Sequence, residues 1–237
     1  MDKLEIKGEI SLSSREREVY RTLRTNLEFT GVENRVIAVT SCTPNDGKST
    51  VAYNLALALA ESGRNTLLID ADMRKSVMVH RLKLEGAVKG LSHYLSGQAE
   101  LGDVVYGTNK RNLFLVPTGI FPSNPTELLG NERLLKLLTG LKNTFDYIII
   151  DTPPLGSVID AAVIAQVCDG SILVLAADNS SRSEAKGVVG QLKAANSNLL
   201  GVVLNKVDVP VSYTHLDVYK RQARHCKRQI PIPFPKP

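Results

Sequence analysis

Gly47-Lys48-Ser49-Thr50 follows a turn-rich loop, Cys42 to Asp46, and opens an apolar stretch from Val51 to Ala60. Ahead of the loop, the short run from Val36 to Ser41 reads as a buried strand. Strand, loop and helix in that order are what a phosphate-binding P-loop requires. The N–H groups of the helix's first turn point into the loop and favour negative charge there. Gly47 lets the backbone approach a phosphate, Lys48 can reach the outer phosphates, and the Ser49 hydroxyl can hold a magnesium ion. The first glycine of the general motif, five positions before Gly47, is replaced by Cys42.

Three more clusters carry groups suited to the same chemistry: Asp70-Ala71-Asp72-Met73-Arg74, Asp151-Thr152-Pro153-Pro154 and Asn205-Lys206-Val207-Asp208. Each follows an apolar run. Carboxylates beside phosphates repel them unless a cation lies between, and magnesium, which keeps several waters, suits that place. Taken singly, Asp70 or Asp151 can be read as a helix N-cap. That reading weakens when three clusters and a P-loop agree. Arg74 can steady phosphates or form a structural ion pair. Asn205 and Asp208 imitate the Asn-Lys-x-Asp pattern that reads nucleobases, a string short enough to arise by chance.

Alternating strands and helices must position these groups. Strands are expected at 35–41, 65–70, 113–117, 146–151, 171–176 and 199–204, and helices near 48–62, 90–96, 126–140, 159–167 and 182–195. Runs such as Tyr147-Ile148-Ile149-Ile150 and Ile172-Leu173-Val174-Leu175 need cover on both faces, which implies a parallel sheet between helix layers. The expected class is α/β, a three-layer P-loop NTPase fold with a mainly parallel sheet. Ligands then sit beyond the C-terminal strand ends, where all the clusters fall. A further helix is expected at 13–29, with Ser13 and Glu16 as a capping box and Val19, Leu23, Leu27 and Phe29 as an apolar stripe. Glu18, Arg21 and Arg24 share a neighbouring face. Pattern alone leaves them as either a solvated face with an internal ion pair or an interface.

The 237 residues are 43% hydrophobic, enough for one substantial core. No run of about 20 apolar residues suits a membrane span, and the N-terminus lacks the apolar core of a signal peptide. Cys42, Cys168 and Cys226 are far apart, which fits a reducing cytosol and no metal site built on cysteine. The net charge of +5 lies wholly in residues 211–237, which hold six Lys/Arg against one acid, Asp217. The balanced body gives no support for a nucleic-acid partner. The expected organisation is an N-terminal segment 1–34, a P-loop domain 35–209, and an atypical basic, proline-rich tail 210–237 that is disordered or a spurious terminus. The tail offers Tyr213 and Tyr219 as its tyrosines.

Together these motifs resemble the bacterial tyrosine kinases of capsule and exopolysaccharide synthesis, built on a P-loop ATPase scaffold. That family shows Ser-x-x-Pro-Gly-Glu-Gly-Lys-Ser in its P-loop. Here Pro44, Gly47, Lys48 and Ser49 match, Asn45 replaces glycine and Asp46 replaces glutamate, and the early glycine is normally absent. Leu67 to Arg74 matches the apolar-run DxDxR pattern, and Ile148 to Pro154 the DxPP-like Walker B strand. Glu18 to Arg24 matches the ExxRxxR element of ring assembly. Gly119 to Leu129 looks like the family's GxxPPNPxELL stretch, with Phe121 where proline is commoner. Partitioning and septum-placement ATPases carry a second lysine early in the loop, where this chain has Thr43 followed by Pro44.

The resemblance implies ATP and Mg2+ as ligands, held by Asn45, Asp46, Gly47, Lys48, Ser49 and Thr50, with Ser49, Asp72 and Asp151 toward the metal; Asn205, from its own pattern and its strand end opposite the P-loop, is the candidate near the nucleobase. The resemblance implies Lys48, Asp70, Asp72 and Asp151 as the catalytic set, Asp70 being the candidate proton acceptor, with the split of roles between Asp70 and Asp72 open. It further implies a ring-forming homo-oligomer through Glu18, Arg21 and Arg24, a membrane adaptor as activator, protein tyrosines as substrates, and a cytoplasmic chain recruited to the membrane. Two rivals remain: a P-loop ATPase switch acting by nucleotide-dependent assembly, and an interaction protein whose nucleotide site is structural.

Overall fold

A computed structural model describes residues 3–8, 12–84, 89–177 and 179–207. The expected tail 210–237, with Tyr213 and Tyr219, and the candidate Asp208 lie outside them. In chain order the elements are β1 (Lys3–Leu4), α1 (Ser14–Glu28), β2 (Val36–Ser41), α2 (Lys48–Glu61), β3 (Thr66–Asp70), α3 (Met78–Arg81), α4 (Leu91–Leu95) and α5 (Leu101–Val104). They continue with β4 (Tyr106–Thr108), β5 (Leu113–Val116), α6 (Pro125–Leu129), α7 (Glu132–Leu141), β6 (Tyr147–Asp151), α8 (Asp160–Ala165), β7 (Gly170–Ala176), α9 (Arg182–Ala194) and β8 (Leu199–Asn205).

The strands form one sheet in the order β1-β4-β5-β3-β6-β2-β7-β8. All pairs are parallel except β4 with β5. Every residue of β2 and β3 is buried, as central strands covered on both faces demand. Alternation decides which layer each side chain joins. Val36, Ala38, Leu67, Ile69, Ile148 and Ile150 face the layer containing α7, α8 and α9. Ile37, Val39, Leu68, Ile149, Ile172 and Val174 face α2. Each fully buried aliphatic side chain here contributes roughly 1.5–3 kcal/mol of transfer free energy. Helix α2 is apolar nearly all round because it lies between the sheet and α1, and its only exposed residue is Glu61.

The expected strands appear within a residue or so at each end. The structure adds the short strands β1 and β4 at one side of the sheet, whose two and three residues give too short a pattern to read. The single helix expected at 126–140 is two, α6 and α7. Asn131 takes an extended conformation and its side chain accepts from the Arg133 N–H, capping α7 afresh. The capping box of α1 is present, with the Ser13 hydroxyl accepting from the Glu16 N–H and the Glu16 carboxylate from the Ser13 N–H. Its apolar stripe is shorter than expected. Leu27 is buried and Leu23 packs against the core, but Val19 and Phe29 are 60% and 82% exposed. The N-terminal segment belongs to the same compact unit as the P-loop domain, through β1 in the sheet and α1 on α2. No helix among the described residues is long and apolar enough to cross a membrane.

Candidate active site

The loop from Cys42 to Gly47 is braced from within before any ligand is considered. The Asp46 carboxylate, fully buried, accepts from Thr43 N (2.9 Å), Thr43 Oγ1 (3.0 Å), Asn179 Nδ2 (2.7 Å) and Ser180 Oγ (3.1 Å). Of the expected nucleotide-binding residues, Asp46 therefore has its side chain committed to the protein, leaving its backbone to a ligand. Asn205 Nδ2 donates to the Asp46 carbonyl at 2.9 Å, and Lys206 Nζ to the Asn45 carbonyl at 2.7 Å. Asn45 and Gly47 take positive φ of 68° and 94°. A Cβ on Gly47 would lie 2.1 Å from Asn205 Nδ2, so both conformation and space require glycine there. Gly47 caps α2 without any side-chain hydrogen bond, which leaves the first helical N–H groups for an anion. Gly156 packs directly on the start of this loop, where a Cβ would stand 2.2 Å from the Cys42 carbonyl oxygen. Cys42 is buried and its thiol is pushed up to about 11, by burial first and then by Asp46. It is a packing residue, not a nucleophile.

Next to this loop, the parallel register of β3 and β6 sets Asp70 directly beside Asp151. Lys48 Nζ donates to Asp72 Oδ2 at 3.0 Å, lies 3.6 Å from Asp151 Oδ1, and donates to Ser49 Oγ at 3.3 Å. One ammonium thus faces a group of three buried carboxylates. Burial alone would depress the Lys48 ammonium, but Asp151, Asp72 and Asp70 outweigh it and hold the group above the ordinary lysine range. Burial raises Asp70, reinforced by Asp151 and opposed by hydrogen bonds to Ser76 and Thr118, and its pKa is pushed up to about 7. Asp151 is raised by burial too, against the pull of Lys48 and Ser49.

A magnesium ion fits these residues. Asp151 Oδ1 is buried without a hydrogen-bond partner among the described residues, and the single ammonium leaves the carboxylates undercompensated. No trio of acidic, histidine or cysteine side chains among the described residues forms an all-protein metal cage. That suits an ion completed by water and phosphate oxygens. Ser49 and Asp151, with Asp72 beside them, are the residues that would hold it.

The rest of the DxDxR loop is structural in its contacts. Asp72 Oδ1 accepts from Arg74 N (3.3 Å) and Lys75 N (3.0 Å), which curls the chain around the carboxylate. The Arg74 guanidinium grips Asp160 twice, at 2.6 and 3.1 Å, and also donates to Thr126 Oγ1 at 3.0 Å. Of the two roles open to Arg74, the ion pair is the one observed. Burial would raise Asp160, but Arg74 and Thr126 hold it below the usual carboxylate range. The Thr50 hydroxyl accepts from Arg81, so its side chain too is engaged within the protein. Sequence reasoning missed Asp160, Thr118, Ser76 and Asn179. Asp160 opens α8 and Thr118 follows β5, positions at strand and helix ends that could have drawn notice. Nothing local marks Ser76 or Asn179.

Away from this crevice, Glu18 and Arg21 form an exposed pair on α1 at 3.5 Å. Arg24 instead leans on α2 and donates to the Ala58 carbonyl at 3.4 Å.

The family model for an AAA domain matches residues 34–204. Tyrosine-protein kinase CpsD of Streptococcus agalactiae is 46% identical over 230 residues, 97% of this chain and all of that protein. The chain belongs to the bacterial tyrosine-protein kinase family. The kinase domain of the Escherichia coli tyrosine kinase ETK superposes with a TM-score of 0.75 at 34% identity, covering 84% of this chain and 80% of that one. The septum site-determining protein MinD of Pyrococcus horikoshii, solved with Mg-ADP, is more distant: TM-score 0.67 and 25% identity, over 84% and 79% of the two chains. The tyrosine kinase family therefore fits better than the septum-placement ATPases.

Proposed function

We propose that this chain transfers the γ-phosphoryl group of ATP to tyrosine hydroxyls, its own among them, in the control of capsule or exopolysaccharide synthesis. The observation that carries the reading is the setting of Asp70: a fully buried carboxylate beside Asp151 in register, next to the Lys48–Asp72 pair, where burial raises it toward the neutral range. A free tyrosine hydroxyl, with a pKa near 10, is a poor nucleophile at neutrality, so a base poised near 7 suits its activation. In the step proposed, the tyrosine proton passes to Asp70 as the phenolic oxygen bonds to the γ-phosphorus. The bond from that phosphorus to the β–γ bridging oxygen breaks, and ADP leaves with its electron pair. Lys48 neutralises charge on the outer phosphate oxygens, and Asp72 holds Lys48 in place. The backbone of Asn45 to Thr50 cradles the phosphates, with Asn205 bracing it from the side. Magnesium, when bound near Ser49, Asp72 and Asp151, supplies charge neutralisation across the phosphates.

Phosphotyrosine blotting of the purified chain with ATP and magnesium, beside Lys48→Met and Asp70→Asn, tests the reading. ATP-dependent phosphotyrosine in the wild type, lost in both variants, is expected. Its absence even with an activating partner present would reject kinase activity. ATP turnover without phosphotyrosine would select the assembly switch, a reading favoured only by the likeness to MinD.

The exposed α1 face, with Glu18 and Arg21 free to exchange their mutual pair for one across subunits, supports assembly into a ring. A homo-oligomeric ring, a membrane adaptor that activates the chain and a cytoplasmic location at the membrane's inner face complete the proposal. Mass measurement of Glu18→Ala/Arg21→Ala/Arg24→Ala should show monomers where the wild type shows rings.

A further inference from the structure

The sheet order places β6 between β2 and β3, so Asp70 stands with the P-loop on one side of it and the end of β5 on the other. On that second side lies a groove of about 680 Å³, lined by Ser76, Val79, His80, Lys83, Thr118 and Phe121 among others. Two of these residues hold Asp70: Ser76 Oγ donates to its carboxylate, and Thr118 Oγ1 to its backbone carbonyl at 3.0 Å. The groove therefore reaches Ser76 and Thr118, the two residues that hold the buried Asp70. Its rim carries exposed apolar side chains. Phe121 is 60% exposed, and its chain neighbour Ile120 is exposed as well. Gly119, at φ 82° and with no room for a Cβ against His93 and Ser92, fixes the turn that carries Phe121. Among the described residues the lining holds no carboxylate, and the side chains of Lys83 and His80 make no ion pair or hydrogen bond.

We infer that this groove takes the acceptor: Phe121 packs on the ring of the incoming tyrosine, and Lys83 with His80 selects acidic residues beside it. The inference rests on the kinase reading and adds the class of substrate, a tyrosine within an acidic polypeptide segment. An exposed aromatic side chain gains most by covering another ring, and offset or edge-on stacking gives that contact a preferred geometry. An unpaired ammonium at a groove mouth favours acidic partners and penalises basic ones. A phenol entering the groove meets Ser76, the hydroxyl already bonded to Asp70, and must share or replace that contact.

The test measures binding and transfer separately. Fluorescence anisotropy of the full chain with Mg-ADP compares two labelled peptides, each with one tyrosine, flanked by glutamates in one and by lysines in the other. The acidic peptide should bind more tightly, and replacing its tyrosine by alanine should abolish that binding. Phe121→Ala should weaken it about tenfold. Lys83→Glu should narrow or reverse the preference between the peptides, by about threefold or more. Both residues are exposed, so the fold is not at stake. Equal affinities for the two peptides, no detectable binding of the acidic one, or unchanged binding in both variants would overturn the inference. Failure of the kinase reading would show differently, as absence of phosphotyrosine on either peptide whether or not it binds.

Discussion

The two flanks of the phosphate crevice are built in opposite ways. On the side of β7 and β8, polar groups are satisfied: Asp46 accepts four hydrogen bonds, and Asn205 and Lys206 each hold a P-loop carbonyl. On the side of β3 and β6, Asp70 and Asp151 are raised by burial, and Asp151 Oδ1 has no hydrogen-bond partner among the described residues. The first flank is a cradle whose shape exists without ligand, so little ordering cost falls on binding. The second stores uncompensated charge that a cation or a proton relieves. Preorganisation and reactivity are thus separated across a single strand, β2.

Breaking the reactive flank should have the largest effect. Lys48→Met removes the one ammonium among three carboxylates, and phosphotransfer should fall at least about a hundredfold. Asp70→Asn should reduce transfer by a similar or larger factor, since general bases contribute roughly 10²–10⁴-fold. The same variant tests the stored charge by its effect on stability. The folded pKa of Asp70, about 7, lies above the ordinary 3.8. Its contribution to stability is therefore fully present below the ordinary value and is lost as pH rises through 7. Asn carries no such penalty, so the melting temperature of Asp70→Asn relative to wild type should rise between pH 5 and pH 8. The difference at the upper end is on the order of a few kcal/mol. Magnesium with ADP should shrink it by relieving the same charge in the wild type. A difference that is flat with pH would mean that Asp70 is not strained in the free protein.

The cradle should break as a fold and not as a catalyst. Asp46→Ala strands the Thr43 N–H and Asn179 amide that it now holds, a loss of about 2–4 kcal/mol. Thermal unfolding should register it as a drop of about 5–10 °C. Nucleotide affinity should suffer through the loop's shape.

This contrast also marks what could be read in advance. The reactive flank was legible because Asp70 and Asp151 end apolar strands, Asp72 follows two residues after β3, and Lys48 opens the apolar helix α2 straight after a glycine. Central strands such as β2 and β3 announced themselves for the same reason. The cradle was not legible. Asp46 looked like a ligand residue because its position in the loop says nothing of Asn179, 133 residues away, which satisfies it. Arg74 was ambiguous until Asp160, 86 residues on, came beside it through the packing of α8. Val19 and Phe29 kept helical spacing, yet only the lower part of α1 meets the core, so periodicity overstated the buried stripe. Strands β1 and β4 borrow their stability from neighbours and leave almost no pattern of their own.

The smallest expected effect separates two roles for Asn205. Its position suggested reading of the nucleobase, but its amide donates to the Asp46 carbonyl and lies against Gly47. A bracing residue should matter to the phosphates and be indifferent to the base. Asn205→Ala removes one neutral hydrogen bond, worth about 1 kcal/mol. The affinity for ATP should fall about fivefold, and the affinity for GTP by the same factor. Competition binding with the two nucleotides measures both on one sample. A change in their ratio, with ATP affected far more than GTP, would return Asn205 to the base and leave the loop to be held by Asp46 and Lys206.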